Sequence, residues 1–83
     1  RVLGKTNRYE EALRAFRQAL RIYPAESFLW VDLGRFFEDY RDVKQALGAY
    51  QEATRVGPND VEAFQGLARA LQAAGLPQEA QQA

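Results

Sequence analysis

The side chains that could carry out chemistry in this chain are acidic, basic and hydroxyl groups, because the sequence contains no histidine and no cysteine. A serine hydroxyl needs a neighbouring base to act as a nucleophile, and Ser27, the only serine, has no histidine to serve it. Without cysteine, thiolate nucleophiles, disulfides and thiolate metal sites are excluded. We therefore expect a protein that is not an enzyme.

Two pairs of carboxylates remain as candidates for proton transfer or metal binding. Glu10 and Glu11 are adjacent, and adjacent residues on a helix point apart, so they cannot share a proton or a metal ion. Asp39 and Asp42 flank an expected turn and could contact a hard cation, but exposed turn carboxylates are usually hydrated. No glycine-rich phosphate loop is present. The sequence predicts no metal site, no catalytic residue and no cofactor.

The charge composition bears on the class of partner. Eleven basic and eleven acidic residues cancel, whereas domains that bind nucleic acid usually carry a basic excess on one face. Basic residues are also not interleaved with aromatic residues on one exposed face, as single-stranded nucleic acid would require. No apolar run approaches the length that spans a membrane. We expect neither a nucleic-acid partner nor membrane insertion, and the compartment stays open.

Apolar residues recur at intervals of three and four, which predicts amphipathic helices over about 9–23, 28–40, 43–56 and 61–74. Pro24, Gly57 and Gly75 follow the first, third and fourth of these segments. The predicted N-caps are Ser27, Asp42 and Asn59.

The helix over 28–40 has a clear apolar stripe. Trp30, Leu33, Gly34 and Phe37 share one side of it and are predicted to be core. Glycine inside a helix costs roughly 1 kcal/mol relative to alanine, so we predict that a facing helix approaches Gly34 closely through its small residue Ala46. The equivalent stripe of the helix over 61–74 is predicted to be Phe64, Leu67, Ala68 and Leu71.

Equivalent residues recur 34 positions apart. The recurring sets are Ala12, Ala46 and Ala80; Asn7, Arg41 and Gly75; Phe16 and Tyr50; and Pro24 and Pro58. Between positions 27 and 60, an aromatic-x-x-Leu-Gly-x-x-aromatic segment is followed by Ala-x-x-x-aromatic and a closing proline. This pattern resembles the tetratricopeptide repeat, and the resemblance covers nearly the whole chain.

The resemblance implies an all-α fold in which antiparallel helix-turn-helix repeats stack into a right-handed α-solenoid. The expected units are a partial repeat over 1–26, a complete repeat over 27–60 and a partial repeat over 61–83, which suggests a piece of a longer protein. Arg41 departs from the pattern, because its turn position normally holds glycine or asparagine.

In this family the first helices of successive repeats line a concave groove. By resemblance, the groove positions are Phe28, Val31, Asp32, Arg35, Glu38, Asp39, Glu62, Gln65, Gly66, Arg69, Gln72 and Ala73. Arg35 and Arg69, one repeat apart, are expected to form a small cationic patch that binds a carboxylate or carbonyl of a peptide. Phe28 and Val31 would supply apolar contact.

Simpler interpretations stand beside this one. Arg35 could be a solvated charge, or could pair with Asp32 or Glu38. The carboxylate clamp of chaperone-binding members uses basic residues and asparagine at set groove positions. Asp32, Glu62 and Gly66 occupy the corresponding places here, so the acidic tail of a chaperone is not an expected ligand.

The expected function is that of a scaffold module that binds a peptide segment of a partner protein in the groove. One alternative is a structural module that forms homo-oligomers through the open ends of the solenoid. Another is the substrate-docking part of a larger enzyme. The sequence does not identify the partner.

Overall fold

The structure, a computed structural model, describes residues 7–75, which form helices joined by short turns. The helices are α1 (Asn7–Ile22), α2 (Ser27–Asp39), α3 (Val43–Val56) and α4 (Val61–Ala73). Helices α2 and α3 pack as a pair, and α4 lies against both of them. Helix α1 packs against α2 and stays apart from α3. No strand occurs within residues 7–75. The predicted all-α class with paired helices is confirmed.

Aspartate side chains begin α3 and α4. The Asp42 carboxylate accepts a hydrogen bond from the Gln45 amide at 3.4 Å, so the predicted cap of α3 is confirmed. At α4 the cap is Asp60, which accepts from the Ala63 amide at 3.3 Å. The prediction of Asn59 was wrong by one position, because both residues are good capping types and sequence spacing alone did not separate them.

Ser27 is not the N-cap of α2. That position belongs to Glu26, which has extended backbone angles and makes no side-chain capping bond. Ser27 is already helical, and its hydroxyl donates a 2.6 Å hydrogen bond to the Asp60 carboxylate at the start of α4. The hydroxyl therefore joins the starts of two neighbouring helices.

The turn after α2 adopts the conformation that glycine favours, although arginine occupies it. Arg41 has φ +61°, and Gly75, one repeat later, has φ +79°. The Arg41 amide donates to the Glu38 carbonyl at 3.0 Å and the Asp42 amide to the Phe37 carbonyl at 2.9 Å. These two bonds form the Schellman motif. The repeat thus keeps its turn geometry despite the side chain.

An aromatic cluster joins α1 to α2. The Phe36 ring lies 5.2 Å from that of Tyr9, 5.4 Å from that of Phe16 and 5.1 Å from that of Tyr40, between ring centroids. Aromatic pairs at such distances contribute beyond their buried area. Phe36 thus contributes several of the aromatic contacts that hold α1 against α2.

The centre of the core is Tyr50, which is 0% exposed. Its ring packs against two helical glycines, Gly34 of α2 and Gly66 of α4. A Cβ atom at Gly34 would lie 2.7 Å from the Tyr50 Cζ, and one at Gly66 would be closer still to the ring. The predicted close approach at Gly34 is confirmed, but the residue that makes it is Tyr50 and not Ala46.

Helix α4 buries a stripe that agrees with the predicted one at Leu71 but differs from it elsewhere. Its buried residues are Ala63, Gly66, Ala70 and Leu71, whereas Phe64 is 47% exposed and Ala68 is also exposed. The prediction for Phe64 and Ala68 was wrong within the described part of the chain. A face of glycine and alanine is what allows Tyr50 to come close to this helix.

Candidate functional site

The expected groove surface is formed by α2 and α4, which lie side by side and are joined at their starts by the Ser27–Asp60 hydrogen bond. We call its exposed side the α2–α4 face. Nine of the twelve positions expected to line the groove are exposed. They are Phe28, Asp32, Arg35, Asp39, Glu62, Gln65, Arg69, Gln72 and Ala73.

The remaining positions of the expected groove are less accessible. Val31 is 2% exposed, so the expectation that it offers apolar contact to a ligand was wrong. Gly66 is buried beneath the Tyr50 ring, and Glu38 is only partly exposed. The family resemblance counted Val31 among the groove positions, and the packing of the neighbouring helices buries it.

The two arginines of the face each contact a carboxylate on the other helix. Arg35 of α2 lies 3.6 Å from a carboxylate oxygen of Glu62 in α4, and Arg69 of α4 lies 3.3 Å from one of Glu38 in α2. The expected cationic patch is therefore matched by acidic groups. Pairing of Arg35, considered above with Asp32 or Glu38, occurs with Glu62.

The face as a whole is acidic. It carries four carboxylates against the two guanidinium groups, and among the described residues neither Asp32 nor Asp39 has an ion-pair partner. Both side chains are exposed on α2. A ligand would therefore meet two free carboxylates on this helix and two arginines that are already paired.

Glu38 and Arg69 also contact the buried Tyr50, in a cluster with Gly34 and Gly66 that we call the Tyr50 junction. The Tyr50 hydroxyl donates to Glu38 Oε1 at 2.9 Å and accepts from Arg69 Nη2 at 3.3 Å. The Arg69 guanidinium lies 5.9 Å from the centre of the Tyr50 ring, within cation–π range. One side chain of α3 therefore connects the charged groups of α2 and α4.

The junction changes two proton affinities. Burial, and then the nearby Glu38 carboxylate, raise the pKa of Tyr50 to about 12. The hydrogen bond to Glu38 raises the pKa of Arg69 above its usual value. Tyr50 is therefore a neutral donor and Arg69 a permanent cation at neutral pH, which suits a structural contact better than proton transfer.

A second concave feature, which the sequence did not reveal, lies on the other side of α2. We call it the α1–α3 slot, and its volume is about 290 Å³. Its walls include Leu13 and Arg17 of α1, Trp30 and Phe37 of α2, and Lys44 and Gly48 of α3. It lies between α1 and α3, whose backbones both approach α2 but do not approach each other closely.

Trp30, predicted to be core, is only partly buried and forms part of the slot. Its indole Nε1 donates to the Pro24 carbonyl at 3.3 Å, which orients the ring. The one signal in the sequence was Gly48, a glycine in the middle of α3 that the stripe pattern did not require.

Within residues 7–75, no group of three or more acidic side chains is placed to hold a metal ion. None of the helices in that range is both long and apolar enough to cross a membrane.

Paired helices that repeat the same turn and the same register define a helical-repeat protein. A family model of the tetratricopeptide repeat matches residues 5–67. The chain belongs to the tetratricopeptide repeat family, whose repeats generally act as protein–protein interaction modules. No curated protein matches the chain.

Proposed function

We propose that this protein is a binding module, without catalytic activity of its own, that holds an extended segment of a partner protein on the α2–α4 face. The observation that carries this proposal is the exposed row on α2, in which Phe28 is followed by the free carboxylates of Asp32 and Asp39.

An apolar contact is available at one end of the face. Phe28, which directly follows Ser27, is 58% exposed, and Val61, which directly follows Asp60, is 66% exposed. The hydrogen bond between Ser27 and Asp60 holds the two segments together. Two exposed apolar residues are therefore brought to the same end of the α2–α4 face. Large exposed apolar groups beside polar ones are typical of interaction sites.

The free carboxylates favour a basic segment. Asp32 and Asp39 are two turns apart, about 10 Å along the helix axis at about 1.5 Å per residue. An extended peptide advances about 3.3 Å per residue, so two cations about three residues apart would match the two carboxylates. The preferred segment has an apolar residue near Phe28 and two lysines or arginines along α2.

The test is a calorimetric titration with peptides that carry one phenylalanine or leucine and two lysines at this spacing, beside the same peptides with glutamates. We expect the lysine peptides to bind and the Asp32→Asn/Asp39→Asn variant to bind them more weakly, by up to about fivefold for each exposed ion pair lost. Phe28→Ala should weaken binding as well.

Glu52→Gln is the matched control, because Glu52 is an acid of α3 that pairs with Arg55 and is not part of the face. It should leave binding unchanged. If Asp32→Asn/Asp39→Asn had no effect, the proposed site would be wrong. If the glutamate peptides bound instead and lost affinity with Arg35→Ala and Arg69→Ala, the arginines would be the peptide-binding groups.

Self-association is a second candidate function, favoured by apolar surface at both ends of the described array. A hollow of about 300 Å³ on the α1 side is lined by Ala12, Ala15, Phe16, Ala19 and Leu29. Phe64 is exposed on α4 at the other end. Sedimentation over a range of concentrations tests this candidate: a monomer at all concentrations would exclude it, and loss of association in Phe64→Ser would support it.

A further inference from the structure

We propose that the α1–α3 slot is a second docking site, which takes a large apolar side chain from an acidic segment of a partner protein. Arg17 and Lys44 would bind the carboxylates on either side of that apolar residue. The proposal is independent of the α2–α4 face, because the slot and the face lie on opposite sides of α2.

The slot has the shape of a receptor for side chains. Its volume of about 290 Å³ is just below the range of about 300–1,000 Å³ that is typical of pockets for whole ligands. Trp30 and Leu33 belong to its floor, and Leu13 and Leu20 belong to one wall. A large aliphatic or aromatic side chain would gain apolar contact on several sides there.

The glycine at position 48 indicates that this part of α3 serves binding and not packing. A glycine in a helix interior costs about 1 kcal/mol relative to alanine. At Gly34 and Gly66 the Tyr50 ring occupies the space that a side chain would need, whereas a Cβ atom at Gly48 would meet nothing within 4 Å. The absence of a side chain at Gly48 keeps the α3 wall of the slot open.

The charges at the slot are basic and uncompensated. Arg17 and Lys44 are exposed on opposite walls, and neither has an ion-pair partner within residues 7–75. Arg14 and Arg21 lie on the same side of α1 as Arg17, at spacings of three and four residues. Among residues 7–75, none of those that line the slot is acidic. Charge complementarity therefore selects an acidic segment.

The protein carries its own reporter for this site, because Trp30 is the only tryptophan and forms part of the slot. The experiment is a fluorescence titration of the full chain with short peptides in which one leucine or phenylalanine is flanked by glutamates. The same peptides with lysines in place of the glutamates form the comparison set. We expect saturable changes in Trp30 emission with the glutamate peptides alone.

Three variants test the assignment. Gly48→Leu fills the slot and should weaken binding at least about tenfold, through loss of the apolar contact. Arg17→Glu/Lys44→Glu leaves the slot open and should also weaken binding, by about tenfold, because two attractions become repulsions. Arg8→Glu is the matched control and should retain most of the affinity, because Arg8 is exposed on α1 nine residues before Arg17 and therefore lies on the opposite side of that helix.

Circular dichroism of each variant shows whether the helices are retained. If Gly48→Leu unfolded, the charge-reversal variant, which changes only exposed residues, would decide the outcome by itself. The proposal is overturned if no glutamate peptide binds, if lysine peptides bind equally well, or if Arg17→Glu/Lys44→Glu binds as tightly as the parent chain. One further outcome would also overturn the proposal. If Trp30 emission changed with protein concentration in the absence of peptide, and did not do so in Gly48→Leu, the occupant of the slot would be a second copy of the chain.

Discussion

The Tyr50 junction and the α1–α3 slot use similar residues in opposite ways. Each has an aromatic side chain, a basic group and a glycine inside a helix. At the junction, Tyr50 fills the space at Gly34 and Arg69 pairs with Glu38. At the slot, the space at Gly48 is open, and the basic groups have no partner in the described part of the chain.

The difference separates residues that hold the repeats together from residues available to a ligand. Where the side chains of the protein itself satisfy the charge and the volume, a substitution should change stability. Where they leave charge and volume unsatisfied, a substitution should change binding while stability stays the same or rises. Substitutions at the junction should therefore lower stability, whereas substitutions at the slot should not.

Replacing Tyr50 with alanine should have the largest effect. The ring is completely buried between α2 and α4, and removing a buried aromatic side chain costs about 3–5 kcal/mol. For a chain of this size we expect substantial unfolding, measured by urea denaturation followed by circular dichroism. Tyr23→Ala, which removes a tyrosine that is 58% exposed, is the matched control and should change stability little.

Alanine substitutions at Gly34, Gly66 and Gly48 should change the stability of the fold in opposite directions. Gly34→Ala and Gly66→Ala place a methyl group against the Tyr50 ring, and overpacking of this kind costs about 1–3 kcal/mol. Gly48→Ala meets open space and should gain about 1 kcal/mol of helix stability. The three urea midpoints measure this, and a loss at Gly48 as large as that at Gly34 would remove the contrast between the two regions.

Removing only the Tyr50 hydroxyl should cost about 1 kcal/mol, because the Glu38–Arg69 pair remains. It should also alter the response to pH. Folding raises the pKa of Tyr50 from an ordinary value near 10 to about 12. Its contribution to stability is therefore complete below pH 10 and is lost as the pH rises from about 10 to about 12.

Comparing urea unfolding of the parent chain and Tyr50→Phe across that range measures the effect. The variant should lose less stability than the parent as the pH rises. Equal losses of stability in the two proteins would mean that the Tyr50 hydroxyl does not make the buried contact with Glu38.

Breaking the ion pair between Arg35 and Glu62 on the α2–α4 face should have the smallest effect on stability. Arg35 and Glu62 are more than half exposed and 3.6 Å apart, and such pairs contribute at most about 1 kcal/mol. We expect a double-mutant cycle with Arg35→Ala and Glu62→Ala to give a small coupling energy that falls with added salt. The equivalent cycle for Arg69 and Glu38 should give a larger coupling energy. A larger coupling energy for Arg35 and Glu62 would contradict this expectation.

Much of the fold could be predicted from the sequence, since the stripe of Trp30, Leu33 and Phe37 and the 34-residue recurrence depend on local periodicity. The equivalence of Arg41 and Gly75 was also visible, although only the structure shows that arginine takes the same left-handed angle. Periodicity identifies the face of a helix that is buried. It does not identify which residue lies opposite, so the partner of Gly34 was assigned to Ala46 and not to Tyr50.

The site was less predictable for the same reason. The exposed row of Phe28, Asp32 and Asp39 follows from spacing on a single helix. The pairs that α2 forms with α4, such as Arg35 with Glu62, depend on the relative height of the two helices. The slot depends on the distance between α1 and α3, which no local pattern in either helix encodes.

The most direct test is to map amide chemical shifts of the isotope-labelled chain with both classes of peptide. We expect glutamate-flanked peptides to shift resonances around Arg17, Trp30 and Gly48, and lysine peptides to shift those around Phe28 and Asp32. The two sets should not overlap, and the peptides should bind together. Displacement of one peptide by the other from a single surface, or shifts at neither surface, would contradict the division between the slot and the α2–α4 face.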